Sequence, residues 1–303
     1  MHYLLLILSV LFWSGNFIVG RGIHNDIPPI TLAFWRWAVA LVIILPFSIR
    51  HIIHQKDLIK QNWKILTLLA YFSVTNFSMC IYLALKSSTV TNTVLINSMI
   101  PIFIVIVSWI VFKERIAVRQ TIGIFVSLAG LIFIIANGNL ATLAAVQFSN
   151  GDMWTISAGI GWALYSVLLK KCPFELNALS FLATTIIIGL VFILPFYIWE
   201  MSTGKTMIFS QAAIGSIIYV ALFASILAYI FWNKSIQIIG ANKTGIFIHL
   251  MPVFSIILAI IFLHEKLRGF HIKGTVLIFL GIFLTTTPPL TGSTRRFPSA
   301  SSE

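Results

Sequence analysis

The sequence predicts an all-α integral membrane protein: ten transmembrane helices arranged as two five-helix repeats, the second inverted relative to the first. Three observations predict it. Of 303 residues, 59% are hydrophobic and only 9% charged, with a mean hydropathy of +0.99. Soluble domains carry about 25% charged residues, so this chain has too few to cover a surface facing water. Ten apolar stretches approach the roughly 20 residues that a helix needs to cross a bilayer. The first half also recurs in the second. Trp13 and Ile44-Leu45-Pro46-Phe47 return 149 residues later as Trp162 and Ile193-Leu194-Pro195-Phe196. Pro101, Glu114, Gly123 and Gly130 return 151 residues later as Pro252, Glu265, Gly274 and Gly281.

The predicted spans are 3–20, 31–49, 63–85, 91–112, 120–136, 153–169, 177–199, 211–232, 244–263 and 272–289. The first lacks a basic leader and is followed by no small-residue cleavage site before Arg21, so it reads as a membrane helix rather than a signal peptide. Pro46 and Pro195 mark the ends of the second and seventh spans, whereas Pro101 and Pro252 interrupt the fourth and ninth. Gly123/Gly130 and Gly274/Gly281 are spaced seven apart on one helix face. They predict close packing, between the fifth and tenth helices or between two protomers. Only 137–152 and 50–62 are connections of any length. The domain reading is therefore a first repeat at 1–136, a connecting loop at 137–152, a second repeat at 153–290 and a disordered cytoplasmic tail at 291–303.

Loop charge orients the chain. With the amino terminus inside, thirteen of the 20 Lys and Arg residues fall on the cytoplasmic side, including Lys113, Arg115, Lys170 and Lys171, and six fall outside. Arg36 is the remaining one. Both termini are thus expected in the cytoplasm. Five helices per repeat is an odd number, which forces the inversion and puts Glu114 and Glu265 on opposite faces of the membrane. Each of these carboxylates reads as a structural group at a helix end.

The net charge of +12 is dispersed among short loops, so no basic domain exists to hold nucleic acid. Two cysteines, Cys80 and Cys172, give neither a disulfide framework nor a metal cage. Phosphate-cradling glycine loops, metal-ligand spacings and nucleophile elbows are absent, so neither an enzyme nor a cofactor is expected. A receptor or scaffold would have hardly any loop with which to engage a partner.

Trp13-Ser14-Gly15-Asn16 followed by Arg36, the run from Tyr82-Leu83-Ala84-Leu85 through Pro101 to Phe112-Lys113-Glu114-Arg115, and the Gly123/Gly130 spacing come in a set order. A second, weaker copy runs from Asn233 to Gly281. Together these resemble the drug/metabolite transporter superfamily, specifically its ten-helix EamA-type members, over nearly the whole chain. The resemblance implies two inverted EamA repeats in a bacterial inner membrane, as a monomer or homodimer. It also implies export of amino acids or similar small metabolites by alternating access. Some relatives in the superfamily move lipid-linked sugars, which keeps a flippase or carrier of a lipid-linked or phosphorylated substrate as the alternative.

Arg36 is the most expensive residue to place, since a charge in the hydrocarbon normally faces a cavity or a partner. It reads either as a receiver of the solute's carboxylate or phosphate, or as an interfacial arginine snorkelling between belt residues Trp35 and Trp37. The acidic residues all fall in loops or at helix ends, which disfavours proton-coupled efflux of cationic drugs and suits a neutral, zwitterionic or anionic solute. His249 is either a proton relay or a packing histidine. Asn16, Asn76, Asn97, Tyr82, Tyr165 and Tyr229 should face inward, because bilayers penalise unsatisfied polar groups. There they line a cavity or join helices, with Trp13 and Trp162 able to close over a solute. Pro101 and Pro252 lie at matching places in the two halves, the strongest pointer to a transport site or gate.

Overall fold

The structure is a computed structural model and describes residues 2–139, 141, 148–173, 175–263 and 267–287. Among the described residues every regular element is helical. The first half holds α1 (His2–Gly22), α2 (Pro29–His54), α3 (Trp63–Ser87), α4 (Val90–Asn97, resuming as Ile100–Phe112) and α5 (Val118–Ile135). The second holds α6 (Asn150–Leu168), α7 (Ala178–Ser202), α8 (Gln211–Ile239) and α9 (Ala241–Gly245, a 3-10 turn Ile246–Leu250, then Met251–Leu263), and closes with α10 (Gly269–Thr286). Nine of these are long and apolar enough to span a bilayer. The exception is α6, whose first turn carries Asn150 and Asp152. It packs against α3 and α4 and buries Asp152, Trp162, Tyr165 and Ser166, so protein rather than lipid surrounds its polar groups.

Several expectations are corrected. Pro46 and Pro195 do not end their helices but lie inside α2 and α7. Each removes one main-chain donor without stopping the chain, and beside the first Ser48 Oγ donates to the Leu45 carbonyl at 3.3 Å. The 50–62 connection is also helical, filled by the end of α2 and a short helix Lys56–Gln61. Pro101 and Pro252 each occupy the second position of a resumed helix, after a break at Ser98-Met99 and after the 3-10 turn. A missing N–H is harmless there because first-turn donors have no partner within their own helix. Glu265 and the tail from 291 lie outside the described residues.

Helix contacts between the halves come in exchange-related pairs. Packing of α3 on α6 is matched by α1 on α8, α4 on α6 by α1 on α9, and α3 on α7 by α2 on α8, while α2 meets α7 and α5 meets α10. The last pair is the tightest seam. A methyl on Gly123 would approach the Gly281 carbonyl to 2.6 Å, and one on Gly130 the Gly274 carbonyl to 2.6 Å. The lower-numbered glycine of one helix meets the higher-numbered glycine of the other, so α5 and α10 run antiparallel.

A second repeated feature was invisible in the residue pattern. Helices α3 and α8 each contain a π-helical segment, Tyr71–Asn76 and Val220–Leu227. Phe77 N bonds to the Phe72 carbonyl and Ala228 N to the Phe223 carbonyl, positions 151 apart. Such a turn shifts the hydrogen-bond ladder by one residue, so one carbonyl is left over where the α pattern resumes.

Contacts also fix the two ends of the bundle. The chain start lies against the α8–α9 corner, where Ser235 Oγ donates to the His2 carbonyl at 3.3 Å and Tyr3 stacks on Phe247. Gln55, at the end of α2, holds the α6–α7 connection through the Glu175 carbonyl and Asn177 N. At the opposite end Ile208 N donates to the Asp26 carbonyl and Arg21 to the Leu85 carbonyl.

We predict that Gly130→Leu destabilises the protein by at least the 1–3 kcal/mol typical of overpacking, because main chain must move. Gly215→Ala, where a methyl meets nothing within 4 Å, is predicted to leave it unchanged or slightly more stable. Thermal unfolding in detergent checks both. Equal melting temperatures for wild type and Gly130→Leu would mean that the seam is not close-packed.

Candidate functional site

The left-over carbonyls are where the halves join. Ala224 O, in the π segment of α8, accepts from Trp13 Nε1 at 3.0 Å and from Arg36 Nη2 at 3.4 Å. Its counterpart 151 residues earlier, Ser73 O, accepts from Tyr229 Oη at 2.9 Å. Donors from the first half thus bind the second, and a donor from the second binds the first.

Arg36 is 2% exposed, so the snorkelling reading is corrected. Its Nε donates to Ser225 Oγ at 2.9 Å and its Nη1 to Tyr82 Oη at 3.1 Å. Tyr82 Oη in turn donates to Asn16 Oδ1 at 2.8 Å. The guanidinium carbon sits 4.9 Å from the ring centre of Trp37. Trp37 is buried too, with Nε1 donating to Ser78 Oγ at 2.8 Å, so of the two neighbouring tryptophans only Trp35 faces outward. Among the described residues no acidic side chain pairs with Arg36. Every acceptor it meets is neutral, so the arginine is solvated by hydroxyls, a carbonyl and rings while its charge stays uncompensated.

Trp13 and Trp162, the equivalent residues of the two repeats, meet edge to face at 5.0 Å. Tyr229, Tyr165 and Trp232 pack on Trp162 at 5.3 to 5.7 Å. Tyr165 Oη donates to Asn233 Oδ1 at 2.6 Å. Beneath the pair lies a void of about 10 Å³ lined by Trp13 and Trp162, Asn97 and Ile248, Ile100 and Met251, and Phe77. Three of those pairs are repeat equivalents, so the void sits where the halves mirror each other. Asn97 is the one amide in its wall, and among the described residues neither end of that buried amide has a hydrogen-bond partner.

Not every expected residue joins this cluster. Asn76 points at α6, its Nδ2 donating to Ser157 Oγ at 3.1 Å, and its Oδ1 has no partner among the described residues. His249 lies between α4 and α5. Its Nε2 must donate to the Ser98 carbonyl at 2.8 Å, which the break before Pro101 leaves available, so Nδ1 accepts from Ser127 Oγ at 2.6 Å. Both ring nitrogens are thereby engaged in holding three helices, the geometry of a packing histidine. In the second half, Ser14 Oγ donates to the carbonyl of Met251, the first residue of the helix that resumes before Pro252, at 3.3 Å.

Sequence reasoning passed over two acidic residues, Glu200 and Asp152, that fasten one end, whereas Glu114 at the other was read as a structural group at a helix end. At the end away from the chain start, Glu200 is 2% exposed and caps α2, accepting from Ile30 N, Thr31 N and Thr31 Oγ1. Asp152, fully buried, accepts from Ser88 Oγ, Asn92 Nδ2 and Ser149 N. Their placement near helix ends was visible, but the α2 and α3–α4 groups they bind were not. At the other end Glu114 pairs with Lys170 and also accepts from Ser108 Oγ at 2.6 Å and Asn242 Nδ2 at 3.4 Å. A cavity of about 280 Å³ opens there, bounded by the ends of α4, α6 and α8 and the start of α9.

The sequence model of the EamA-like transporter family matches residues 1–136 and 149–287. Two uncharacterized transporters, YyaM of Bacillus subtilis strain 168 and one of Archaeoglobus fulgidus, are each 27% identical to the chain. They cover 92% and 94% of it, and 92% and 96% of their own length respectively. A probable amino-acid metabolite efflux pump of Escherichia coli K12 is 26% identical over 92% of this chain and 93% of its own. A protein of known crystal structure shares the fold, with a TM-score of 0.75 at 16% identity over 94% of this chain and 96% of that one.

The hydrogen bond from Lys170, then that from Ser108, holds the Glu114 carboxyl below its ordinary value of 4.5. A lowered carboxyl adds stability above that value and loses it as pH falls through the folded-state pKa. Glu114→Gln is therefore expected to melt below wild type at pH 7, with the gap closing in acid below 4.5. Lys170 is 62% exposed, so the effect belongs with surface pairs, at most about 1 kcal/mol. A gap that stays constant from neutral to acid pH would mean that the ionised pair contributes nothing.

Proposed function

The chain belongs to the EamA-like transporter family, and from that premise we propose that this multi-pass membrane transporter exports amino acids or similarly small metabolites by alternating access. The observation that carries the reading is Arg36, a buried cation at the boundary of the two halves with only neutral acceptors around it. An insertion penalty of roughly 2.5–3.5 kcal/mol for a mid-membrane arginine calls for a functional return, and attraction for a carboxylate supplies one. Asn97 completes the recognition with an unpartnered donor and acceptor beside Trp13 and Trp162.

In this reading the two halves are inverted repeats, 1–136 and 153–290, that rock against each other. The exchange-related contacts and the antiparallel glycine seam support the inversion. The breaks before Pro101 and Pro252 are the points about which α4 and α9 bend. The excess of basic residues in its loops supports a cytoplasmic side, in a bacterial inner membrane, for the end with the chain start, the Glu114–Lys170 pair and the open cavity. The lipid-linked alternative finds less support. A cavity of about 400 Å³ on the flank, between α1, α8 and α9, is walled by Leu11, Phe12, Ile18, Val19, Phe223 and other apolar side chains, with no charged group to hold a phosphate.

Counterflow in proteoliposomes against a panel of amino acids tests the proposal. Wild type is expected to exchange at least one member. Arg36→Ala should insert and fold yet lose counterflow by orders of magnitude, and Arg36→Lys should keep only part of it, lacking the fork of donors that Ser225, Tyr82 and Ala224 share. Undiminished exchange by Arg36→Ala would remove the guanidinium from the solute path. Failure of the whole panel on wild type would turn the search to lipid-linked substrates.

A further inference from the structure

The cavity at the chain-start end lies apart from the Arg36–Trp13 cluster. We propose that it is a docking site for a zwitterionic amino acid, whose ammonium and carboxylate replace Lys170 and Glu114 as each other's partners. The proposal rests on the amino-acid reading above and adds a second site, where the solute is first held before it reaches the centre.

The chemistry of the walls supports this class of ligand. Glu114 lines the cavity and offers carboxylate oxygens to an ammonium, while Asn242 behind it donates to the same carboxylate. Lys170 supplies the cation for the solute's carboxylate, and Ser166, whose hydroxyl accepts from Trp232 Nε1 at 3.3 Å, is among the lining residues. A solute with a single charge pairs with one member and leaves the other to water, without a counter-charge. A polyanion meets the Glu114 carboxylate, and a cation meets Lys170. Only a molecule carrying both signs a short distance apart restores both pairings. The Glu114–Lys170 pair is 37% and 62% exposed, and such pairs contribute little net stability, so exchange for the solute's charges is nearly even in energy. A cavity of about 280 Å³ has room for such a molecule.

The pair also has consequences for opening. Glu114 follows Lys113, which ends α4 in a left-handed conformation with φ of 56°, and this turns the carboxylate back over Ser108. From there it reaches Lys170 at the end of α6 and Asn242 at the start of α9. The first half is thereby tied to the second across the mouth, and a docked solute replaces that tie with itself.

Cys172 lines the cavity and gives a native reporter. Burial pushes its thiol up to about 12, so maleimide labelling is slow enough to time. The experiment follows labelling of Cys172 in reconstituted protein carrying Cys80→Ala, with L-leucine, isoamylamine or 4-methylpentanoate present in excess. L-Leucine is expected to slow labelling several-fold, while the amine and the acid alone leave it unchanged. Glu114→Gln and Lys170→Gln should each lose the protection, and the exchanged pair Glu114→Lys with Lys170→Glu should regain it. Absence of protection by L-leucine, equal protection by either singly charged analogue, or protection that survives both Gln variants would overturn the proposal. Arg36→Ala separates the two sites. Protection kept there alongside lost counterflow supports both readings, and protection kept in a wild type that exchanges no amino acid sinks the transport reading while sparing the docking site.

Discussion

A main-chain carbonyl within a bilayer must find a donor from the protein, because lipid offers none. Ser73 and Ala224 present two such carbonyls, made available by matching π turns in α3 and α8. Most of what is distinctive at the centre follows from them. Ala224 O draws in Trp13 and Arg36, Arg36 fixes Tyr82, and Tyr82 fixes Asn16. Ser73 O positions Tyr229, against which Trp13, Trp37 and Trp162 pack. The two helices give up regular geometry at one turn each, and the cross-repeat bonds at those turns hold the halves in register.

The two ends of the bundle are fastened by different physics. Away from the chain start, Glu200 and Asp152 are buried and accept several hydrogen bonds each, from groups that become unsatisfied if the carboxylate leaves. Breaking such contacts carries a desolvation penalty of about 1–3 kcal/mol per stranded group. At the chain-start end the fastening is an exposed ion pair whose members water can solvate separately. One end is closed by groups that have no alternative partner, the other by groups that do. That asymmetry gives a preferred order of opening without any difference in the number of bonds.

Much of this was legible in the chain itself. The repeat offsets, the all-helical membrane class and the inward face of the polar residues required only composition, spacing and the intolerance of lipid for stray polar groups. Arg36, Trp13 and Trp162 stood out because few residues are so costly or so large at membrane depth. What stayed hidden depended on main chain rather than side chain. Val220–Leu227 reads as an ordinary apolar helix, and nothing in Ala224 announces that its carbonyl will serve a guanidinium. Pro46 and Pro195 misled for a related reason: proline reports a lost donor, and whether a helix ends there depends on the surroundings. Glu200 was visible at a helix end, but its cap on α2 joins residues 170 apart, a pairing that only the fold creates.

The glycine seam between α5 and α10 bears on how such a chain can change with time. When two side chains collide, a smaller partner can make room, and an interface drifts by traded sizes. Gly123 and Gly281, like Gly130 and Gly274, collide with each other's main chain, and no substitution at the facing position removes a carbonyl. Trading is closed at these four sites. The halves are free to diverge in their loops and lipid-facing surfaces, yet the contacts where backbone meets backbone must be kept on both sides at once. The memory of the duplication survives best where there is no side chain left to lose.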